Sequence, residues 1–403
     1  MQSWSQVFVP QLALTAPTPQ VYDSASQDLI ALPVDRPGNV YVCGITPYDA
    51  THMGHAATYV AFDTLIRIWR AAGVAVNFTQ NITDVDDPLI ERAIATSRDW
   101  RDIAQEQVEL FRQDMQALRV IPPQNYIGVV ESMSLIENAV AKLVAQGTAY
   151  YVDQDIYYDV NDTELIGKIS HLTEAEMFEV FGQRGGDPQR PGKRHALDPM
   201  LWRARAGADP YWPSELGEGR PGWHIECSAI ATHFLSEQID VQGGGSDLKF
   251  PHHEMSAAHA ESLTGKSPFA KTYMHAGMVS LDGQKMSKSL GNLVFVSKLR
   301  AAGTDPMTIR LAILAHHYRS DWEWFDTELA AANERLALWR AAFEMTTGAA
   351  SVSNELVAAL ANDLDTPTAL QVVDQWATAT IAGAADEGTT EMKTAIDALL
   401  GIV

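Results

Sequence analysis

The sequence of 403 residues is poor in cysteine and in cations, and it lacks a long apolar run. Its two cysteines, Cys43 and Cys227, are too few for a disulfide framework, so free or metal-bound thiols in a reducing compartment are expected. No stretch is apolar over the length that crosses a bilayer. The N-terminus shows no basic region followed by an apolar core, as a secretory signal would. These absences predict a cytoplasmic protein without a membrane partner.

Cations are scarce relative to anions, with 29 Lys and Arg against 51 Asp and Glu and a net charge of −22. The imbalance is steep from Thr304 to Val403, where fifteen acidic residues face five basic ones. Nucleic-acid affinity depends mainly on cations that neutralise phosphates. The charge therefore favours small-molecule partners and no nucleic acid, although a local basic patch is compatible with it.

The stretch from Val40 to Tyr59 carries the first chemical motif. Val40-Tyr41-Val42 has the β-branched and aromatic character of a buried strand. His52-Met53-Gly54-His55 then opens an apolar segment with helical spacing. A helix N-terminus offers backbone N–H groups to an anion, and a glycine lets a nucleotide approach the backbone. The two histidines can donate hydrogen bonds to phosphate oxygens.

A second motif, Lys285-Met286-Ser287-Lys288-Ser289, lies far downstream. Alone, the first motif could simply start a helix and the second could be a solvated loop. Together, in this order, they resemble the paired signatures of class I aminoacyl-tRNA synthetases. The resemblance implies adenylate-forming chemistry, in which four side chains stabilise charge on the phosphoryl group. These side chains are His52, His55, Lys285 and Lys288.

The order of elements predicts an α/β fold, a Rossmann-like doubly wound parallel sheet of class I synthetase type. A strand, a helix and a second strand at 74–79 form one βαβ unit. We expect residues 1–120 and 200–300 to form this catalytic domain. An α+β block is expected at 121–199 as an inserted connective subdomain, and a helical bundle at 301–403.

Three local predictions accompany this division. Glu91 to Arg119 has the apolar spacing of an amphipathic helix. Tyr150 to Val160 is aromatic and β-branched, which favours a strand pair. Met200-Leu201-Trp202 is expected to resume the main sheet, and Gly243 to Asp247 to form a flexible loop near a ribose or phosphate.

A possible metal site involves Cys43, Cys227 and His252, which each follow a proposed strand or start a proposed helix. Two thiolates and one imidazole suit zinc and leave a fourth position open. On spacing alone, the opposite interpretation is favoured, with both cysteines as small buried hydrophobes and the histidine in a cap.

Residues 40 to 325 are most similar to cysteinyl-tRNA synthetases and to the shorter cysteine ligases of mycothiol biosynthesis. The similarity lies in Cys43 to Asp49, Gly222 to Ser228, Gly243 to Glu254 and Lys285 to Asn292. It implies one zinc per chain, held by Cys43, Cys227 and His252 with the substrate thiol as fourth ligand. It also implies a cysteinyl-adenylate pocket. That pocket would be lined by Cys43, Gly44, Ile45, Thr46, Thr58, Asn81, Ile82, Thr83, Trp223, Gly245, Ser246, Asp247 and Val279.

Departures from the synthetases favour the mycothiol relative. Ser256 stands where the synthetases have a fourth zinc ligand, Pro88 stands where they have a lysine, and the tail is short and acidic. The implied reaction joins L-cysteine to the amine of glucosaminyl-inositol, using ATP with magnesium, in a protein expected to be monomeric.

Several points stay open at the level of sequence. Cysteinyl-tRNA synthesis and a catalytically silent zinc- or cysteine-binding regulator are the alternatives. Trp223 would be a core residue if judged from the sequence alone. The base for the attacking amine is not identifiable, with Asp84 and His52 as candidates. The role of Gln183 to Pro188 is also undetermined.

Overall fold

Strands and helices alternate through most of the chain. The computed structural model describes residues 1–12, 14–49, 51–281, 283–286, 292–345, 354–383 and 389–403. The strands are β1 (Gln20–Asp23), β2 (Asp28–Ala31), β3 (Gly38–Val42), β4 (Val76–Ile82), β5 (Asn125–Gly128), β6 (Ala149–Val152), β7 (Asp155–Tyr158), β8 (Met200–Ala204), β9 (Gly219–Pro221), β10 (Ile239–Gly245), β11 (Ala270–Ala276), β12 (Val279–Leu281), β13 (Gln284–Lys285) and β14 (Trp322–Glu323). The helices are α1 (Met53–Ala71), α2 (Asp87–Thr96), α3 (Trp100–Ala117), α4 (Met133–Gln146), α5 (Glu174–Gln183), α6 (Trp223–Phe234), α7 (Glu254–Thr264), α8 (Val296–Ala301), α9 (Pro306–Leu314), α10 (Asp326–Phe343), α11 (Asn354–Ala361), α12 (Thr366–Ile381) and α13 (Thr389–Leu400).

The central sheet has the strand order β11-β10-β3-β4-β5, and all its neighbours are parallel. Strands β4 and β5 lie on one side of β3, whereas β10 and β11 lie on the other. The strand order therefore reverses between β3 and β10. In open parallel sheets a ligand binds outside the carboxyl ends of the strands at such a point. The predicted parallel α/β sheet is confirmed.

A second sheet of four antiparallel strands, in the order β6-β7-β8-β9, forms beside the central one. The expected strand pair at Tyr150 to Val160 is present as β6 and β7. The prediction that Met200-Leu201-Trp202 resumes the main sheet is wrong, because β8 pairs with β7 and β9. Trp202 is buried in the hydrophobic core of this second unit, together with residues of α4 and α6.

The residue limits expected for the inserted block also differ from those that the strand pairing indicates. Strand β5 lies after residue 121 and still belongs to the central sheet, paired in parallel with β4. Strands β8 and β9 lie after residue 199 and belong to the second sheet. By strand pairing, the inserted unit begins after Gly128 and ends at Pro221. The division of the chain into three units otherwise stays a prediction.

The single helix expected from Glu91 to Arg119 is instead two helices, α2 and α3. Ser97 ends α2 in the left-handed conformation, with φ of 53°. Asp99 then caps α3, its side chain accepting the backbone N–H of Arg101 at 2.8 Å. Ser and Asp compete with the helical backbone for hydrogen bonds, which explains the break inside a continuous apolar pattern.

A buried charge network joins the first helix to the C-terminal helices. Arg67 Nε donates to Asp63 Oδ2 at 2.7 Å, and Arg310 Nη2 donates to the same oxygen. Asp63 Oδ1 accepts the backbone N–H of Ile121 at 2.8 Å, and Arg310 Nε donates to the carbonyl of Leu400 at 2.6 Å. Asp63, Arg67 and Arg310 are each at most 1% exposed. The network holds α1, α9 and the end of α13 together. In the described parts of the chain, no helix has both the length and the apolar character to cross a bilayer.

Replacing Asp63 by asparagine should lower the free energy of unfolding. Burial opposes ionisation of this carboxyl, but Arg310 and Arg67 outweigh it and lower its pKa. The substitution keeps an acceptor for Ile121 and leaves both guanidinium groups buried without their anion. A loss of about 3 to 5 kcal/mol is expected, measured by urea unfolding. Asp28→Asn, on the exposed strand β2, should change nothing. Equal stability of the two variants would contradict this role of the network.

Candidate active site

The N-terminus of α1 follows the carboxyl end of β3 and carries the first motif. His52 is the N-cap, and its Nδ1 accepts the backbone N–H of Gly54 at 3.1 Å. The rings of His52 and His55 stack with centroids 3.8 Å apart. Burial, with His52 adding to it, lowers the pKa of His55 well below its usual value. His55 Nδ1 is buried and has no partner among the described residues, so it remains available to a ligand.

The chain that follows the lysine-serine motif returns to this helix start. Met53 donates its backbone N–H to the carbonyl of Val294 at 2.9 Å, and Val296 donates to the carbonyl of Thr51 at 3.0 Å. Of the second motif, Lys285 is described in its backbone, within β13. Ser287, Lys288 and Ser289 lie outside the described residues. Residues 294 to 296, which follow the motif in the chain, are thereby anchored beside His52.

Polar residues at the carboxyl end of β4 brace the turn after β3. Asn81 Oδ1 accepts the backbone N–H of Gly44 at 2.8 Å, and its Nδ2 donates to Thr83 Oγ1 at 3.2 Å. A side chain at Gly44 would collide with the carbonyl oxygen of Asn81, so the close approach of these strand ends requires glycine. Thr83 Oγ1 in turn donates to Glu226 Oε2 at 3.0 Å. These bonds fix the turn after β3.

Two thiols and an imidazole from three separate elements meet at the end of β3. Cys43 Sγ lies 3.8 Å from Cys227 Sγ, and Cys227 Sγ lies 3.2 Å from His252 Nε2. The three ligand atoms all lie within 4.8 Å of one another, and all three residues are buried. Among the described residues this is the one such group of metal-ligand side chains. The cluster could hold a metal ion.

The charge states within the cluster differ. Burial raises the pKa of the Cys43 thiol, and the neighbouring Cys227 adds to the effect. For Cys227 burial also opposes ionisation, but the contacts with Cys43 and His252 outweigh it and lower its pKa. Cys227 is therefore the thiol that ionises more readily.

Two further histidines contact the cluster and were not foreseen from the sequence. His253 Nε2 lies 3.3 Å from Cys43 Sγ, and its Nδ1 lies 2.8 Å from His275 Nε2. His224 Nδ1 lies 3.0 Å from His252 Nδ1. The doublet His252-His253 is a signal that sequence could have used, since both rings stand at one helix start. Only the folded chain shows which ring meets which sulfur.

A cavity of about 470 Å³, here the first cavity, lies over the carboxyl ends of β3 and β10. Most of the residues expected to bind the adenylate, or to act on it, line this cavity. They are Cys43, Gly44, Ile45, Thr46, His52, His55, Thr58, Trp223, Gly245, Asp247 and Val279. Four of the expected pocket residues do not line it: Asn81, Ile82, Thr83 and Ser246. Asn81, Ile82 and Thr83 are at most 2% exposed. They lie behind the cavity wall, where Asn81 bonds to the lining residue Gly44.

The glycine run was expected to be a flexible loop, and this is wrong. Gly243, Gly244 and Gly245 extend β10, which pairs with β11 throughout the run. A side chain at Gly243 would enter the ring of Phe62 in α1. The run therefore allows the helix to pack closely on the strand, and only Ser246–Leu248 forms a turn.

Trp223 is not a core residue, contrary to the expectation from sequence alone. It is half-buried, lines the first cavity and stacks on His252 with ring centroids 4.4 Å apart. Asp84, one candidate base, lines a different cavity near Met1, and its Oδ1 accepts the backbone N–H of Val130 at 2.9 Å. Of the two candidate bases, His52 lines the first cavity.

Residues 33–334 match the family model described as tRNA synthetases class I (C) catalytic domain. The whole chain is also similar to curated proteins named L-cysteine:1D-myo-inositol 2-amino-2-deoxy-alpha-D-glucopyranoside ligase. The relative from Kribbella flavida is 55% identical and the one from Paenarthrobacter aurescens 54% identical, each over 100% of both chains.

Solved structures of class I synthetases share the fold. A leucyl synthetase from Agrobacterium radiobacter, in a ternary complex with tRNA, has a TM-score of 0.63 at 10% identity, covering 90% of this chain and 82% of that one. Mycobacterium tuberculosis methionyl-tRNA synthetase with methionyl-adenylate has a TM-score of 0.59 at 16% identity, covering 91% and 82%. At these identities the likeness concerns the fold alone.

Removal of one thiol should abolish metal binding by the cluster. Titration with Co²⁺ should give one thiolate-to-cobalt charge-transfer band per chain, because thiolates and imidazole favour this class of metal. Cys227→Ser should lose the band. His233→Ala, on the exposed end of the same helix, should keep it. An unchanged band and affinity in Cys227→Ser would show that the metal binds elsewhere.

Proposed function

The chain belongs to the class I (C) tRNA synthetase catalytic-domain family, among its cysteine:glucosaminyl-inositol ligases, and from this we propose its reaction. It joins L-cysteine to the amine of glucosaminyl-inositol in two steps, through a cysteinyl-adenylate, and releases AMP and pyrophosphate. The observation that carries the proposal is the position of Cys43. This thiol belongs to the metal-ligand cluster and also lines the cavity that contains His52 and His55.

The donor set fits zinc. Bonds of about 2.3 Å to sulfur and 2.1 Å to nitrogen in a tetrahedron place two sulfurs about 3.8 Å apart and sulfur and nitrogen about 3.6 Å apart. The observed separations are 3.8 Å between the sulfurs and 3.2 Å from Cys227 Sγ to His252 Nε2. Cys43, Cys227 and His252 would hold the ion. Bound there, zinc supplies a thiol-selective position that distinguishes cysteine from serine.

The first step places the α-phosphate of ATP at the start of α1. His55, with an unpartnered buried Nδ1, and the capping His52 would donate to phosphoryl oxygens as charge develops. The positive end of the α1 dipole adds to this potential. We assign Lys285 and Lys288 to the same charge by family resemblance. Magnesium would accompany the ATP.

The adenylate would extend across the point between β3 and β10 at which the strand order reverses. Thr46 and Thr58 line the α1 side of the first cavity, and Gly245 and Asp247 line the β10 side. Asn81 and Thr83 hold the turn after β3 in place through Gly44, so their effect on the adenylate is indirect.

The acceptor is proposed to be a small amine and not tRNA. Ser256 does not present its hydroxyl as a free ligand, because it accepts from Gln242 Nε2 at 2.9 Å and donates to the His253 carbonyl at 3.3 Å. Pro88 stands in the first turn of α2, where it supplies no cation. The acidic excess of residues 304–403 would repel a phosphate backbone. Monomeric state remains a prediction that size-exclusion chromatography tests.

One assay tests the reaction and its acceptor together. The chain is incubated with ATP, cysteine and either tRNA or glucosaminyl-inositol, and the products are identified by mass. We expect an amide of cysteine and glucosaminyl-inositol together with AMP, and no cysteine on tRNA. Cysteine found on tRNA and not on the amino sugar would restore the synthetase function. Absence of cysteine-dependent pyrophosphate exchange would support a silent binding protein instead.

His55→Asn should slow adenylation without loss of cysteine affinity. Loss of one donor to a developing oxyanion lowers the rate about 100-fold, and His55 has no contact with the thiol cluster among the described bonds. Cysteine-dependent pyrophosphate exchange measures the rate, and equilibrium dialysis measures cysteine affinity. His233→Asn is the control. Lys288→Ala should likewise lower the adenylation rate and leave cysteine affinity unchanged. Equal losses in rate and affinity would assign these residues to cysteine binding.

A further inference from the structure

A second cavity, of about 880 Å³, adjoins the first one and has no assigned role. It lies between the central sheet and the inserted unit. Five residues line both cavities: Thr46, Tyr48, Trp223, Asp247 and Leu248. The volume falls in the range of about 300 to 1,000 Å³ that is usual for small-molecule sites. An amine must reach the adenylate carbonyl from adjoining space, which the second cavity provides.

The wall of the second cavity is polar and carries paired charges. Asp87 accepts two bonds from Arg203 Nη1, at 2.8 and 3.0 Å, and another from Arg220. Arg220 is only 5% exposed, and its Nε has no partner among the described residues. A desolvated guanidinium with an open donor, fixed by a carboxylate, suits hydroxyl groups of a ligand. Tyr48 and Trp223, which are partly exposed, add aromatic surface against which a sugar ring can pack.

Asp86 differs from Asp87, the carboxylate that follows it on this wall. Its Oδ1 caps α2 by accepting the backbone N–H of Asp87 at 2.8 Å. Among the described residues no cation forms an ion pair with Asp86, whereas Asp87 is paired with Arg203 and Arg220. The second oxygen of Asp86 can therefore accept from an ammonium group in the second cavity.

We propose that the second cavity binds the amino-sugar acceptor, and that Asp86 takes the proton from its ammonium group. The inference rests on the proposed function and adds the location of its second substrate. In this arrangement the hydroxyl groups contact the Arg220–Asp87–Arg203 group, and the nitrogen points to the boundary of the two cavities near Trp223.

The electrostatic surroundings of Asp86 agree with this role. Burial raises its pKa to about 6, and the titratable groups that face it are Arg220 from β9, Asp87 from its own helix and His252 from the turn before α7. Glu226 of α6 is also within electrostatic range. At neutral pH the group is ionised, so it can attract an ammonium and accept its proton. A base with a pKa near the working pH is effective.

The transfer step balances with these groups. The ammonium gives one proton to Asp86, and the freed lone pair forms the C–N bond at the adenylate carbonyl carbon. The C–O bond to the phosphate breaks, and its electron pair leaves with AMP. The second excess proton on nitrogen passes to water, and Asp86 releases its own proton to the open cavity.

The inserted unit closes one side of this cavity through Arg184. Its Nη1 donates to the backbone carbonyls of Asp247 and Phe250, which lie on either side of the turn that leads to His252. Asp187 accepts the hydroxyl of Tyr157 and the ammonium of Lys193. The segment 184–188 thereby joins the wall of the second cavity to the chain that carries a cluster ligand.

Asp86→Asn tests the base and keeps the helix cap, since asparagine also accepts at that position. Cysteine-dependent pyrophosphate exchange should be unchanged, while transfer to glucosaminyl-inositol should fall about 100-fold, as expected for loss of a general base. Hydroxylamine is uncharged at neutral pH and needs no base, so its capture of the adenylate should be unchanged. Asp99→Asn is the matched control, because Asp99 caps the next helix outside this cavity.

Arg203→Ala tests the location by a second route. It should raise the KM for glucosaminyl-inositol and leave exchange unchanged. Arg205→Ala is the matched control, since Arg205 lies two residues further along, pairs with Glu218 at 3.0 Å and does not line the cavity.

The outcomes separate this inference from the proposed function. If the unaltered protein makes the amide and the Asp86 and Arg203 variants match their controls, the second cavity is not the acceptor site. If the unaltered protein exchanges pyrophosphate but makes no amide, the proposed acceptor is wrong. Loss of exchange in Asp86→Asn would overturn its assignment to the second step.

Discussion

The close approach of Cys43, Cys227 and His252 is the constraint on which the site depends. These residues come from the end of β3, from α6 and from the turn before α7, and the chain between the two cysteines spans 184 positions. All three side chains are buried. Buried thiols and an imidazole with ligand atoms close together hold three elements against one another. They thereby position Cys43, and through His252 also Trp223, in the wall of the first cavity.

Much of this arrangement follows from local sequence, and part of it does not. The β3–α1 unit could be predicted because a β-branched strand, a glycine turn and a helical apolar pattern succeed one another without ambiguity. Strand β5 could not be, because its four residues, Asn125 to Gly128, are too few to show a period. The sheet membership of Met200 to Ala204 depends on pairing with β7 and β9, which no local pattern specifies.

The candidate site shows the same division. The two motifs and the cluster could be proposed from resemblance, but spacing alone favoured two inert cysteines. Asn81 and Thr83 were expected at the ligand, and the structure shows them bonded to Gly44 and Glu226. The sequence does not indicate which residues these polar side chains bond to. Buried polar groups take the partner that the fold supplies, and that partner is a tertiary contact.

Asp84 and Asp86 are two residues apart, yet their carboxyl groups lie in different surroundings. Burial raises the pKa of each to about 6, so charge state alone does not distinguish them. Asp84 bonds to the backbone of Val130 and lines the cavity near Met1. Asp86 begins α2 and lines the second cavity. The turn from β4 into α2 directs one carboxyl to the backbone of the inserted unit and the other to the second cavity, which Trp223 also lines. Only the second can meet an acceptor that approaches the first cavity.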